Sequence, residues 1–302
     1  MRDRLFARFG LIGGCIFSFL VFISYATEEP LDDAATANNL PQLVRAPDIN
    51  RQFDWAGEMV PFTADARERL DKELMVNSYY HSSTLQVIKL SNRYFPMIES
   101  ILREYGVPDD FKYLAVAESG LRHARSYADA CGFWQFRKLA AKEYGLEVNS
   151  EVDERYHVEK STRAACKYLL WLKGKFGTWT DAAAAYNVGP TNYKKERTTQ
   201  REESFYDMNL NQETARYVFR LIALKEIMSQ PENFGFYVDP QELYMPLDDY
   251  YEVTVDKTVN NWGDFAHEHG TTYRELKRYN PWLRDNHITV IKNTYQVKIP
   301  RS

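Results

Sequence analysis

Cysteine is scarce in this chain, with Cys15, Cys131 and Cys166 the only three among 302 residues. No CxxC pair and no HExxH stretch occurs, and the six histidines offer only a lone HxH at His267 and His269, a pattern that is as a rule solvated. Neither a metal nor a cofactor is therefore expected. Basic charge is not in excess either: 38 Lys and Arg stand against 42 Asp and Glu, a formal net charge of −4. With no general basic surface to neutralise phosphates, nucleic acid is not an expected partner. Strand patterning is almost absent between residues 53 and 236, which leaves helix as the material of the larger part. A run of about 20 apolar residues, the length that spans hydrocarbon, is also lacking.

The apolar stretch that does exist is short and stands first. MRDRLFARFG carries three arginines and is followed by LIGGCIFSFLVFISYA, sixteen residues without charge. A positive start, a short apolar run and small residues at Ser24 and Ala26 predict a signal peptide over residues 1–26 and an exported chain. An uncleaved anchor, leaving the protein membrane-associated, is the alternative. The apolar run continues past Cys15, which argues against lipidation there. After cleavage Cys131 and Cys166 remain, either as a pair oxidised on export or as two buried thiols. Residues 27–50 are rich in Ala, Asn, Asp and Pro and show little periodicity, so a flexible leader is expected over 27–52.

Helical spacing begins near Phe53, with segments 64–75 and 83–105, the second interrupted by Pro96 as a break or kink. Gly106-Val107-Pro108 then opens a helix whose first turn holds Asp109 and Asp110 and which runs through FKYLAVAES to a glycine stop at Gly120. Further helices are predicted over 161–177, from Thr180-Asp181 to Gly189-Pro190, and over 211–228, the last with Tyr217, Leu221, Leu224 and Met228 facing inward. After a proline-rich linker over 237–249 the character changes. Residues 250–302 read as strand, two short helices and strand, a compact and net basic module set against net acidic residues 27–249, within which the larger domain covers 53–236.

One acid stands out. Glu118 closes an apolar run and falls in the last turn of its helix, where the negative dipole end and partial burial both disfavour the carboxylate. A raised pKa suits a general acid that protonates a leaving oxygen near neutral pH.

Glu118-Ser119, then Ser126, then Gly132-Phe133-Trp134-Gln135-Phe136, then Ala185-Tyr186-Asn187-Val188-Gly189-Pro190, then Glu213-Thr214 with Tyr217-Val218 follow one another in order. This succession resembles the motifs of lytic murein transglycosylases, and over roughly 53–236 the chain resembles the membrane-bound D type, with its goose-lysozyme-like SLT catalytic domain. Phe133 replaces a commoner aliphatic residue, Val188 a commoner alanine, and Asp129 stands where glycine is often seen. Residues 250–302 resemble a LysM domain through YEVTV, GTTYRELKRYNP and VKIP, although the usual glycine-aspartate-threonine turn reads Val255-Asp256-Lys257-Thr258.

The resemblance implies a mainly α fold, a lysozyme-like helical catalytic domain with an N-terminal helical extension followed by a small βααβ LysM-like domain. It implies peptidoglycan glycan strands as substrate, N-acetylglucosamine-containing glycan at the LysM-like domain, and a place in the periplasm or cell envelope. Glu118 would protonate the oxygen between N-acetylmuramic acid and N-acetylglucosamine, then take the proton of the muramoyl 6-hydroxyl as a 1,6-anhydro ring closes. Tyr217 would orient Glu118, Ser126 and Gln135 would hold the N-acetyl sugars, and Tyr186 and Asn187 would position the glycan. A tethered hydroxyl needs no second carboxylate to activate it, unlike the water of ordinary glycoside hydrolysis. Two other readings stay open: a goose-type muramidase using Asp129 or Glu213 as the second acid, and an inactive cell-wall-binding scaffold. Trp134 either lines the cleft or fills the core, and Glu213 is equally explained by the helix dipole at its position.

Overall fold

The computed structural model describes residues 45–301. The predicted signal peptide, Cys15 and the first part of the predicted leader lie outside them. Residues 45–52 carry no regular structure, but Ile49 packs on the core and the Arg51 guanidinium pairs with Glu226 and lies 4.1 Å over the Phe53 ring.

A two-residue hairpin follows, β1 (Asp54–Trp55) paired antiparallel with β2 (Glu58–Met59). Its turn places Ala56 and Gly57 at φ 54° and 78°, the left-handed pair whose twist suits a tight hairpin. Strands this short leave no periodicity for a sequence reading to detect. Helices α1 (Ala64–Tyr79) and α2 (His81–Tyr105) come next, and α2 runs on through Pro96 instead of ending there. The helix that carries Glu118, α3 (Lys112–Ser119), starts later than the sequence predicts because Pro108 leads into a 3-10 turn over Asp109–Phe111. Then come α4 (Lys138–Glu143), α5 (Val158–Phe176), α6 (Trp179–Val188), α7 (Pro190–Gln200) and α8 (Gln212–Ser229).

Helix α8 sits centrally, packed against α1, α3 and α6. Its Val218, Phe219, Leu221, Ile222, Ala223 and Ile227 are all fully buried, the pattern of a helix covered on most sides. Helix α6 reaches it by way of Ala182, Ala183, Ala184 and Ala185, all without exposure, whose small side chains let α5, α6 and α8 approach closely. The start of α6 is fixed twice. Thr178 caps it by accepting from the Asp181 N–H at 3.0 Å, and the Glu58 carboxylate accepts from the N–H groups of Trp179 and Thr180 at 2.7 and 2.8 Å. Burial works to raise the Glu58 pKa, but these N–H bonds outweigh it and hold the group below its usual value.

After residues 237–249, which run along α2 through bonds such as Arg93 Nε to the Met245 carbonyl (2.8 Å), the chain forms β3 (Tyr250–Val255), α9 (Trp262–Glu268), α10 (Tyr273–Tyr279) and β4 (Tyr295–Pro300). β3 and β4 pair antiparallel from Tyr250↔Pro300 to Val255↔Tyr295, and Tyr295, Val297 and Ile299 point alternately inward. Buried Asn280 donates to the carbonyls of Leu276 and Lys298 and accepts from the Lys298 N–H, tying the α10 end to β4. The fold is thus mainly α with a terminal βααβ module. The module's apolar cluster, built on Trp262, Leu276, Trp282 and Ile288, also takes in Cys131, Val152 and Tyr156 of the larger part. Cys131 and Cys166 are both free and buried, in different clusters. Among the described residues no helix is long and apolar enough to cross a membrane.

Asp181, buried, accepts from the Tyr193 hydroxyl, from the Thr178 hydroxyl at 2.5 Å and from the Phe205 N–H at 3.1 Å, so one carboxylate joins α6, α7 and the turn at Phe205–Asp207. Asp181→Ala would strand two buried donors and should lower the unfolding free energy by about 3 kcal/mol. Urea titration reads this, and a loss below about 1 kcal/mol would show the junction to be held elsewhere.

Candidate active site

Helix α3 ends because Gly120 adopts the left-handed conformation at φ 60° and returns its N–H to the Val116 carbonyl at 2.7 Å. Leu121, also left-handed at φ 54°, turns the chain away, and Glu118 is left half-buried on the last turn. The Tyr217 hydroxyl, from the middle of α8, donates to Glu118 Oε1 at 2.5 Å. Burial raises the Glu118 pKa, the Tyr217 bond and Arg220 pull it down, and the charge of Glu213 pushes it up again; the outcome is about 7. The pKa of Tyr217 itself is raised well above normal by burial and by the neighbouring acid. The structure therefore brings Glu118 and Tyr217 into direct hydrogen-bond contact.

Tyr186, at the end of α6, lies near both, since its own raised pKa reflects burial first and then the charge of Glu118. Its hydroxyl donates to the Trp134 carbonyl at 2.7 Å. Asn187 Oδ1 accepts from the Thr214 hydroxyl at 3.0 Å, and Thr214 is in turn held by the cap residue Asn211, so the end of α6 and the start of α8 are locked side by side. The Asn187 amide N–H groups have no protein partner among the described residues and are free to meet a ligand.

Ser126 and Gln135 belong to a loop folded back on itself by bridges Arg125↔Cys131 and Cys131↔Phe136. The Ser126 Oγ accepts from the Ala130 N–H at 3.1 Å, which closes the tip while its own O–H stays available. Gln135, left-handed at φ 45°, donates its amide to the carbonyls of Ala124 and Gly132 at 3.3 and 2.9 Å, which leaves its Oε1 as the acceptor still available. Ser126 itself is exposed, on the loop tip, and shares no direct bond with Glu118. Gly132 is required twice over, by φ 78° and because a Cβ there would lie 1.9 Å from the Arg155 carbonyl oxygen.

Trp134 fills the core: it is fully buried and its indole N–H donates to Thr162 Oγ1 at 2.9 Å. The two acids that might have partnered Glu118 are bound to arginines, Glu213 to Arg220 at 3.0 Å and Asp129 to Arg125 at 2.7 Å. Two functional supports escape the sequence reading. Thr214 is seen only as a motif neighbour of Glu213, and Arg155 sits in DERYH without any periodicity to mark it. Arg155 is buried, pairs with Asp153 at 2.7 Å, and donates from Nη1 to the carbonyls of Asp129 (2.7 Å) and Phe136 (3.2 Å), the two sides of the loop. Among the described residues no three His, Cys, Asp or Glu side chains form a metal-ligating group.

Residues 96–209 match the transglycosylase SLT domain, and residues 251–302 match the soluble lytic transglycosylase C-terminal LysM-like domain. Membrane-bound lytic murein transglycosylase D of Escherichia coli strain K12 is 31% identical over 182 residues, 58% of this chain and 39% of the relative. The protein of the same name from Escherichia coli O6:H1 gives the same figures. The chain thus spans 39% of the length of these curated relatives.

The folded protein holds the Glu118 proton up to about pH 7, whereas the unfolded chain releases it near 4.5. The stability that this proton lends is therefore whole below pH 4.5 and is lost as pH rises through 7. Glu118→Gln, neutral at every pH, should match the wild type in stability at low pH and exceed it above pH 7, by at most about 3 kcal/mol. Thermal melts across the range read the difference, and parallel curves would mean that Glu118 titrates normally. In Tyr217→Phe the bond that favours the carboxylate is gone, so the Glu118 pKa should climb above its present value, as carbon-13 NMR titration would record.

Proposed function

We propose that this chain, which carries a transglycosylase SLT domain and a C-terminal LysM-like domain of the soluble lytic transglycosylase type, is a peptidoglycan lytic transglycosylase. It cuts the β-1,4 bond between N-acetylmuramic acid and N-acetylglucosamine without water. The observation that carries this reading is a single acid, Glu118, held by Tyr217 alone and protonated up to about pH 7. Tyr217 occupies Oε1, so the proton sits on Oε2 and faces the substrate.

The steps follow from that arrangement. Glu118 Oε2–H gives its proton to the glycosidic oxygen as the bond to muramoyl C1 breaks, and N-acetylglucosamine leaves with a free 4-hydroxyl. The carboxylate so formed is steadied by the Tyr217 O–H and by the charge of Arg220. It then takes the proton of the muramoyl 6-hydroxyl while that oxygen bonds to C1, closing a 1,6-anhydro ring and restoring the acid. No water is consumed, and the tethered hydroxyl supplies the advantage of proximity. Asn187 N–H, Gln135 Oε1 and the Ser126 hydroxyl are the polar groups left to grip N-acetyl and hydroxyl groups of the glycan.

A hydrolytic muramidase would need a carboxylate free to activate water. Glu213 and Asp129 both face arginines, which supports the transglycosylase reading over that one. The LysM-like module is read as a site for N-acetylglucosamine-containing glycan, and the curated relatives are named membrane-bound, which together with the N-terminal segment supports action in the cell envelope.

Glu118→Gln should lower kcat on peptidoglycan by at least about a thousandfold with KM little changed, because the amide keeps the shape and loses the proton. Mass spectrometry of wild-type digests should find 1,6-anhydromuramoyl ends, lighter by one water than reducing ends. Activity should fall as pH rises past about 7, where Glu118 ionises. A digest dominated by reducing muramic ends would hand the reaction to the hydrolase.

A further inference from the structure

We propose that the C-terminal module is part of the substrate-binding apparatus, docked on residues 151–157 so that it holds the 124–136 loop in its working conformation by way of Arg155. The loop's task of gripping glycan rests on the function proposed above; the mechanical coupling does not.

A module that merely tethers the enzyme to its substrate would meet the larger domain across a polar, mobile contact. The seam here is built otherwise. The Asp153 N–H donates to the Trp282 carbonyl at 2.9 Å, the Arg284 N–H donates to the Glu151 carbonyl at 2.8 Å, and Val152 pairs with Leu283 as an antiparallel bridge. These are strand-type bonds between the two parts. Val152, Tyr156 and Cys131 are buried in the module's own apolar cluster, beside Trp282 and Leu283. The Arg284 guanidinium lies 4.2 Å over the Tyr156 ring, and the His157 ring stacks on Trp282 at 5.8 Å. At the rim, Lys298 pairs with Glu159 at 2.6 Å and Thr289 donates its N–H to Glu151 at 2.6 Å.

From this seam, two routes lead directly into the loop. Asp153, whose N–H is held by the module, presents its carboxylate to Arg155 Nε and Nη2, and Arg155 Nη1 then clasps the carbonyls of Asp129 and Phe136. Cys131, in the loop itself, is buried against the module cluster. Between them, Gly132 rests on the Arg155 carbonyl with no room for a side chain. Three residues of the region, Leu121, Asp129 and Gln135, are left-handed without being glycine. Such a backbone keeps its shape only where its surroundings over-determine it.

The test uses the full chain with Trp282→Ala, Arg284→Ala and, as a control in the exposed turn after β3, Lys257→Ala. Hydrogen exchange should show the amides of 124–136 opening at least about tenfold faster in both seam variants and unchanged in the control. On soluble, uncrosslinked glycan strands the seam variants should raise KM about fivefold or more, with kcat and the pH at which activity falls unaltered. Trp282 is a core residue of the module and its loss could unfold it; Arg284 is exposed, so Arg284→Ala should keep β3 and β4 as protected as in the wild type. Wild-type loop exchange and KM in Arg284→Ala, or a loop loosened only when β3 and β4 also open, would overturn the proposal. The exchange measurement needs no turnover. Absent cleavage by the wild type would therefore count against the proposed reaction, and unaltered loop protection against the coupling.

Discussion

One buried guanidinium sets the shape of the site. Arg155 has no route to water, so every donor it carries must find an acceptor inside the protein, and it finds them on both sides of the 124–136 loop and in Asp153. Removing one such partner leaves a buried charge unmatched, at a penalty of several kcal/mol. That threat fixes the loop's main chain more firmly than the loop's own few bridges would. Left-handed turns at Asp129 and Gln135, each unfavourable by itself, are tolerated because the clasp leaves no alternative.

The acid is treated in the opposite way. Glu118 has one hydroxyl as hydrogen-bond partner, and the charge of Arg220 is opposed by that of Glu213, so desolvation wins and the proton stays. The contrast with Glu58 is instructive, since both carboxylates are removed from water to some extent. Glu58 meets two helix N–H groups, a hydroxyl and the Lys173 ammonium and remains charged, whereas Glu118, in the last turn of α3, has the Tyr217 hydroxyl as its hydrogen-bond partner. The surroundings thus keep one carboxylate charged and the other protonated toward neutral pH. Tyr217 comes from α8, whose inner residues from Val218 to Ile227 are buried, and Tyr186 follows a run of alanines without exposure.

Much of this was legible in the sequence. Glycine at 120 announces the end of α3, and with it the exposed last turn that carries Glu118; the period of Tyr217, Leu221 and Leu224 turns Tyr217 inward. The strand, helix, helix, strand order of the final module followed from the alternation of Tyr251–Val255 and the helical look of two short segments after it. Other features were hidden for physical reasons. Helix α7, PTNYKKERTTQ, is polar nearly all round and lacks an apolar stripe, and Pro190, read as a stop, is also the first residue of the next helix. Trp134 reads the same whether it lines a cleft or fills a core, until Thr162 is found beside its indole N–H. Arg155 and the seam at Trp282 depend on residues far apart in the chain, and no local pattern encodes such meetings.

That distance bears on how the molecule comes together. Glu151 and Thr289, bonded across the seam, are 138 residues apart. Contacts of such separation form slowly, since closing the intervening chain must precede any gain from them. The helical body closes over comparable spans, since Tyr217 and Glu118 are 99 residues apart and Arg216 and Glu73 are 143 apart. The Glu118–Tyr217 pair and the 124–136 loop are therefore both products of long-range closure, and neither is in place until most of the chain has come together.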